Sequence, residues 1–310
     1  MRRIRVLVAT LTACVALLSA CGYDATPLPK PDEESAASSG SSGSTPVECD
    51  NATQSYDASD DKAAAVKQLT NKGRLVVGVS GDTYKMGFTD PTDAELKGFD
   101  IEFADAIAKA LGVTLDLRVI SAAERIPKLE SGELDMVARN MTVNCDRWTQ
   151  VAFSAVYYNA TQKVLVGSTE GDTYTGPASL AGKRVCAPAA TTSVANIKKI
   201  EPDVVAVEAA NHTGCLIKFQ NGEVDAITGD DTVLAGLAAQ DPYTAVPQQD
   251  KLTDEPYGLA FNKDDVALVR FANSVLDQMR ADGRWTAIYD EWLKPTLTVD
   301  ATPPAPAYGR

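Results

Sequence analysis

The chain has 310 residues and sets 29 Lys and Arg against 42 Asp and Glu, a net charge of −13, which disfavours a nucleic acid partner. Apolar residues make up 45% of it, enough for a core in each of two ordinary domains. A single His and the absence of any C-x-x-C argue against a metal site, and no cofactor is implied.

In chain order, Met1-Arg2-Arg3-Ile4-Arg5 is a basic start, and Val6 to Leu18 is an apolar stretch too short to span a bilayer, so residues 1–20 are expected to be an export signal. Leu18-Ser19-Ala20-Cys21 resembles the bacterial lipobox, which implies cleavage before Cys21 and a lipid on its sulfur. That would hold the protein at the extracytoplasmic face of the bacterial cell membrane. Residues 21–48, rich in Pro, Ser and Gly, are expected to form a flexible linker with an end-to-end distance of about 25–30 Å.

Cys14 leaves with the signal and Cys21 is taken by lipid, which leaves Cys49, Cys145, Cys186 and Cys215. Four cysteines allow three connectivities, and an oxidising exterior favours two disulfides. Pairing Cys49 with Cys145 and Cys186 with Cys215 keeps each bridge within one proposed lobe and is the expectation, although the sequence leaves the connectivity open.

Strands then alternate with helices. Ser59-Asp60-Asp61 caps a helix, Leu75 to Val79 is an apolar strand, and Phe99, Phe103, Ala104, Ile107, Ala108 and Leu111 follow helical spacing up to Gly112. Val113, Leu115, Leu117 and Val119 alternate as a strand. A second run repeats the scheme from Arg184, with strands near Val204 and Val224 and helices from Thr191, Thr213 and Asp231. Such alternation predicts an α/β protein with mainly parallel sheets flanked by helices.

Ser131-Gly132-Glu133-Leu134-Asp135-Met136-Val137 matches Asn221-Gly222-Glu223-Val224-Asp225-Ala226-Ile227, each after an amphipathic helix. Two similar lobes follow. Glu255 to Phe261 is expected as a late strand followed only by helices, so the chain returns to its first lobe. The expected division is 49–167 with 255–295 as lobe 1, 168–254 as lobe 2, two hinge crossings near Gly167 and Asp254 to Pro256, and 296–310 as a disordered tail.

Arg125, Arg139 and Arg147 cluster around one predicted strand, with Asn140 and Thr142 in the same loop. In so acidic a chain, cations gathered at the carboxyl end of a strand point to a pocket for a ligand with more than one carboxylate, because Arg holds a carboxylate by two parallel hydrogen bonds. The plainer reading is that each Arg is a surface ion-pair partner.

Gly98-Phe99-Asp100-Ile101-Glu102, Ile126 to Asp135, Met141-Thr142 with Arg147, Phe153 to Tyr158, Leu180-Ala181-Gly182-Lys183, Thr191-Thr192-Ser193 and Tyr257-Gly258-Leu259-Ala260 resemble, in order, the family-3 extracellular solute-binding proteins of polar amino acid ABC transporters. The resemblance spans about residues 65–294 and is greatest to glutamate/aspartate-binding members. It implies a two-lobed fold of the type II periplasmic-binding-protein kind and a monomer that delivers L-glutamate or L-aspartate, with glutamine and asparagine as lesser candidates, to a membrane permease.

The resemblance also implies residue roles. Arg147 and Thr142 would hold the α-carboxylate, Asp230 the α-ammonium, and Thr191 the α-carboxylate from across the cleft, at a helix N-terminus suited to anions. Arg125 would pair with a side-chain carboxylate, and His212 would touch the ligand. Ala189-Ala190 and Arg139 depart from the usual Ser-Gly and Gly. Asp230 has a plainer reading as a helix cap, and His212 as a helix-start residue.

An enzyme is the rival from another class, since the same fold hosts a few dehydratases. The lone His has no evident Ser or free Cys to activate, and neither glycosidase-like carboxylates nor a phosphate-binding Gly loop occurs. A sensing lipoprotein signalling to a membrane partner would share every residue named.

Overall fold

A computed structural model of the chain describes residues 49–171 and 174–310; the expected signal, the lipid site at Cys21 and the linker lie outside them. Fourteen strands are seen among the described residues. They are β1 (Arg74–Val79), β2 (Asp82–Thr83), β3 (Gly87–Thr89), β4 (Leu96–Lys97), β5 (Thr114–Val119), β6 (Met136–Ala138), β7 (Val151–Phe153), β8 (Tyr158–Gly167), β9 (Arg184–Pro188), β10 (Val205–Ala209), β11 (Ala226–Asp230), β12 (Thr244–Ala245), β13 (Thr253–Tyr257) and β14 (Ala260–Asn262). The helices are α1 (Lys62–Lys67), α2 (Phe99–Leu111), α3 (Arg125–Glu130), α4 (Cys145–Trp148), α5 (Thr192–Ile200), α6 (His212–Gln220), α7 (Asp231–Gln240), α8 (Val266–Ala281), α9 (Arg284–Trp292) and α10 (Lys294–Leu297).

Two sheets carry the fold. The first runs β5-β1-β6-β14-β7, and the second runs β10-β9-β11-β8-β12 with β13 also on β8. In each, the first three strands are parallel and the rest antiparallel. The repeated sequence motif has a structural cause. Asp135 accepts from the Val76 N–H of β1 at 2.8 Å, and Asp225 accepts from the Arg184 N–H of β9 at 2.8 Å. In both lobes the carboxylate thus occupies a donor at the start of the neighbouring parallel strand, where an unpaired buried N–H would be costly.

Helix α2 buries Phe99, Phe103, Ile107 and Leu111 against β1, and the largest core gathers these with Tyr157, Phe261, Trp285 and Tyr289. Its N-cap, Gly98, has φ +129°, and a Cβ there would sit 2.5 Å from the Met86 carbonyl oxygen, so only glycine fits. The second lobe packs Leu165, Ile227 and Leu234 around the Cys186–Cys215 disulfide. The other bridge joins Cys49 to Cys145.

Two expectations are corrected. β8 and β13 pair with each other as the two crossing strands: the chain passes from the first core at Tyr158 and Ala160 to the second at Val164, and back from Leu252 to Tyr257, so the first crossing lies at 161–163 rather than near Gly167. The long β8 pairs with β11, β12 and β13, with its start packed in the first core and its end in the second. Residues 296–310 are not a disordered tail. The Tyr308 hydroxyl donates to the Asp277 carboxylate, 2.8 Å from each of its oxygens, the Arg310 N–H donates to the Ser55 carbonyl, and the Arg310 guanidinium lies 3.9 Å from the Trp148 ring centre. Tertiary contacts from one aromatic and one cation override a Pro-rich composition that predicts disorder.

Candidate functional site

All eight residues expected to meet a ligand line one narrow cavity: Arg125, Arg139, Asn140, Thr142, Arg147, Thr191, His212 and Asp230. The cavity lies where the parallel strands end. Arg139 follows β6, Thr191 follows β9, His212 follows β10 and Asp230 ends β11, so both lobes aim the carboxyl ends of their strands at it, as open α/β sheets do at ligand sites. The lobes are closed over it. Arg125 Nη2 donates to the Ala190 carbonyl at 3.3 Å, the Thr142 and Thr192 hydroxyls are 3.4 Å apart, and the Thr213 hydroxyl donates to the Asp82 carbonyl at 3.4 Å.

The three guanidiniums are buried, and among the described residues none forms an ion pair. Their recorded partners are carbonyls. Arg125 donates to Ala122, Arg139 and Ala190, Arg139 to Ile120, and Arg147 to Thr142 at 2.6 Å. Burial, then the adjacent charges of Arg147 and Arg139, push the Arg125 guanidinium well below its ordinary value. Burial lowers Arg139 and Arg147 as well, against the pull of Asp82 on the first and of Glu255 and Asp230 on the second. A buried cation short of anions is costly, and a carboxylate entering the cavity relieves it.

Asp230 stands at the N-cap position of α7, yet its side chain makes no cap bond. Its Oδ2 accepts from the Tyr257 hydroxyl at 2.6 Å, and Oδ1 is buried without a partner. Burial, reinforced by the charge of Glu255, pushes its carboxyl up to about 8. His212 begins α6, and its Nε2 is likewise buried and unpartnered. A Cβ at Gly229 would meet that nitrogen at 2.5 Å, so glycine there leaves room for the ring. Burial first, then the charge of Arg139, lowers His212 to about 4, which keeps it neutral. Asn140 has a third unpartnered oxygen, Oδ1. The Asn140 backbone, at φ +34°, is held by Asp100, which accepts its N–H at 2.8 Å.

Three successive residues from the second lobe, Thr191, Thr192 and Ser193, complete the wall. Thr191 caps α5 and donates its hydroxyl to Pro188 at 2.7 Å, while Thr192 and Ser193 open the helix toward the cavity. Two larger grooves flank Tyr174, but one of them holds the Arg184–Asp225 pair already joined at 2.7 Å, and neither gathers unpaired cations. Sequence reasoning missed Thr192, Ser193 and Pro188 in the lining, and missed Glu255 and Tyr257, which hold lining groups from behind.

Residues 75–295 match the sequence profile of the bacterial extracellular solute-binding proteins, family 3. The chain belongs to that family. Within it, the chain is 33% identical over 262 residues to the ABC transporter glutamine-binding protein GlnH of Bacillus subtilis (strain 168), covering 83% of this chain and 92% of the relative. It is 27% identical over 233 residues to the glutamate-binding protein GluB of Corynebacterium glutamicum, covering 71% and 79%. An ancestral arginine-binding protein solved with glutamine superposes with a TM-score of 0.68 at 32% identity, covering 72% of this chain and 98% of that one. The cavity between the lobes gathers three guanidiniums without ion pairs among the described residues and three buried acceptors without partners.

Proposed function

We propose that the protein is a non-catalytic receptor for an acidic amino acid, L-glutamate or L-aspartate, held between its lobes and handed to an ABC transporter permease. The observation that carries this reading is the charge of one cavity: three buried guanidiniums without a carboxylate partner among the described residues, beside one buried carboxylate with a free oxygen. An acidic amino acid has the inverse set, two carboxylates and one ammonium.

Arg147 and the start of α5 take the α-carboxylate, the latter through free N–H groups and the helix dipole. Oδ1 of Asp230 takes the ammonium. Arg125 takes the side-chain carboxylate, with Arg139, Asn140 and His212 around it. Glutamine leaves Arg125 without its anion, and arginine sets a fourth guanidinium against Arg125 and Arg139. Relatives named for binding glutamine, glutamate and arginine support a polar amino acid and an ABC transporter in general terms; the pocket's charges favour the acid. A lipid on Cys21 would tether the receptor, and Cys21→Ala should release it from membranes.

Thermal shift with L-glutamate, L-aspartate, L-glutamine, L-asparagine and L-arginine tests the reading, because a ligand that binds only the folded state raises the melting temperature with its concentration over Kd. The acids are expected to give the largest rise. A larger rise with arginine would refute it.

A further inference from the structure

Glu255, on β13, is a buried carboxylate bordering the cavity, 1% exposed, and among the described residues it forms no ion pair. Four donors converge on it instead. Oε2 accepts from the Thr142 hydroxyl at 2.6 Å and from the Thr192 hydroxyl at 2.8 Å. Oε1 accepts from the Thr253 hydroxyl at 2.6 Å and from the Asn196 amide at 2.8 Å. Thr142 follows β6 in the first lobe, and Thr192 opens α5 in the second; both line the cavity. One oxygen therefore gathers a hydroxyl from each lobe.

A hydroxyl has one proton to give, and an ionised carboxylate only accepts. With both protons turned toward Oε2, Thr142 and Thr192 present lone pairs to the cavity. We propose that Glu255 is a positioning residue for the ligand's cationic end: it fixes the Thr142 and Thr192 hydroxyls as acceptors facing the cavity and joins the two lobes through them. The hydroxyl of Thr142 is then not among the donors that the family resemblance implies for this residue. The arrangement also supplies acceptors at the end of the cavity shared by Asp230 and Arg147, both of which feel the charge of Glu255, where an ammonium and its adjacent carboxylate would sit together. When the lobes part, Oε2 loses one of its two hydroxyl partners, so the same contact favours closure.

The inference rests on the amino acid reading, and calorimetric titration of the purified protein with L-glutamate and L-aspartate separates the two. Glu255→Gln keeps the side-chain shape but replaces one acceptor by a donor, and is expected to weaken binding about tenfold or more. In a Thr142→Val/Thr192→Val background the same substitution is expected to cost about twofold or less, because its route to the ligand is gone. A purely structural role would leave the loss equal in both backgrounds, or absent from both, and either result overturns the inference while leaving the ligand reading intact. Should Glu255→Gln fail to fold, Glu255→Asp, which keeps the charge and withdraws it from the hydroxyls, carries the same comparison. Absence of binding of both acids by the unaltered protein overturns the ligand reading and this inference together.

Discussion

Tyr257 donates its hydroxyl to Oδ2 of Asp230 at 2.6 Å, and the other oxygen of that carboxylate is left buried and unpartnered in the cavity. With burial pushing this carboxyl up to about 8, the empty site holds a proton at neutral pH. An ammonium on Oδ1 needs the ionised form, so binding releases that proton. Affinity is expected to rise about tenfold per pH unit between roughly 6 and 8 and then level off. Titration in buffers of different ionisation enthalpy should show close to one proton released below pH 7, and Asp230→Asn should lose both the affinity and the release.

Asp230 and His212 shape the stability of the unliganded protein. A carboxyl raised from 3.8 to about 8 binds its proton more tightly folded than unfolded, so its effect is a loss of stability as pH rises from about 4 to about 8. His212, lowered from 6.5 to about 4, acts in the opposite sense, with stability lost as pH falls from about 6.5 to about 4. Urea midpoints measured across this range should flatten on the alkaline side in Asp230→Asn and on the acid side in His212→Gln.

Arg147 is buried with a carbonyl as its recorded partner and no ion pair among the described residues. Arg147→Ala is expected to weaken binding by at least about 100-fold, the loss of two charge-assisted hydrogen bonds to a carboxylate. The melting temperature of the unliganded variant should stay level or rise, since a poorly compensated buried charge is removed with the side chain. A steep fall without ligand would make Arg147 a structural residue.

Arg147 sits on α4, a four-residue helix too short to hold itself. It is fixed by the Cys49–Cys145 disulfide, by the Trp148 indole donating to the Ala52 carbonyl at 2.6 Å, and by Arg310 stacked on Trp148. Cys49→Ala/Cys145→Ala should lower the unfolding free energy by up to about 4–5 kcal/mol, the chain-entropy value for a loop of this length. It should also weaken ligand binding severalfold. Denaturant titration and calorimetry on one preparation check both.

Much of this architecture was legible in the sequence because it follows from periodicity and turn chemistry. Phe99 to Leu111 stop at Gly112, which adopts φ +66° as a left-handed cap, and the two S/N-G-E-x-D segments mark equivalent turns in the two lobes. Arg125, Arg139, Asn140, Thr142 and Arg147 were legible as a cluster around one predicted strand, whereas Thr191, His212 and Asp230 were reached through the family resemblance. Glu255 was not legible, since in Glu255-Pro256-Tyr257-Gly258 an acid beside a proline has the look of a solvated strand end, and only the fold brings Thr142 and Thr192 to it. The sheet β2-β3-β4 was missed because strands of two or three residues carry no measurable alternation. The anchored ending was missed because Tyr308 and Arg310 find their partners far away in sequence, at Asp277 and Trp148.

In the proposed acidic amino acid site, Arg125 is the residue that would divide the acid from its amide. It donates only to carbonyls, two of them at 3.3 Å, and the neighbouring Arg139 and Arg147 raise the demand for an anion there. Arg125→Gln should shift the balance between L-glutamate and L-glutamine toward the amide by about tenfold or more, read as the ratio of their Kd values.

The most direct measurement is calorimetric titration of the unaltered protein with L-glutamate and L-glutamine, which match in shape and differ in one charge. Tighter binding of L-glutamate is the predicted result. Tighter binding of L-glutamine would contradict the account, because the three guanidiniums would then not be waiting for a second carboxylate.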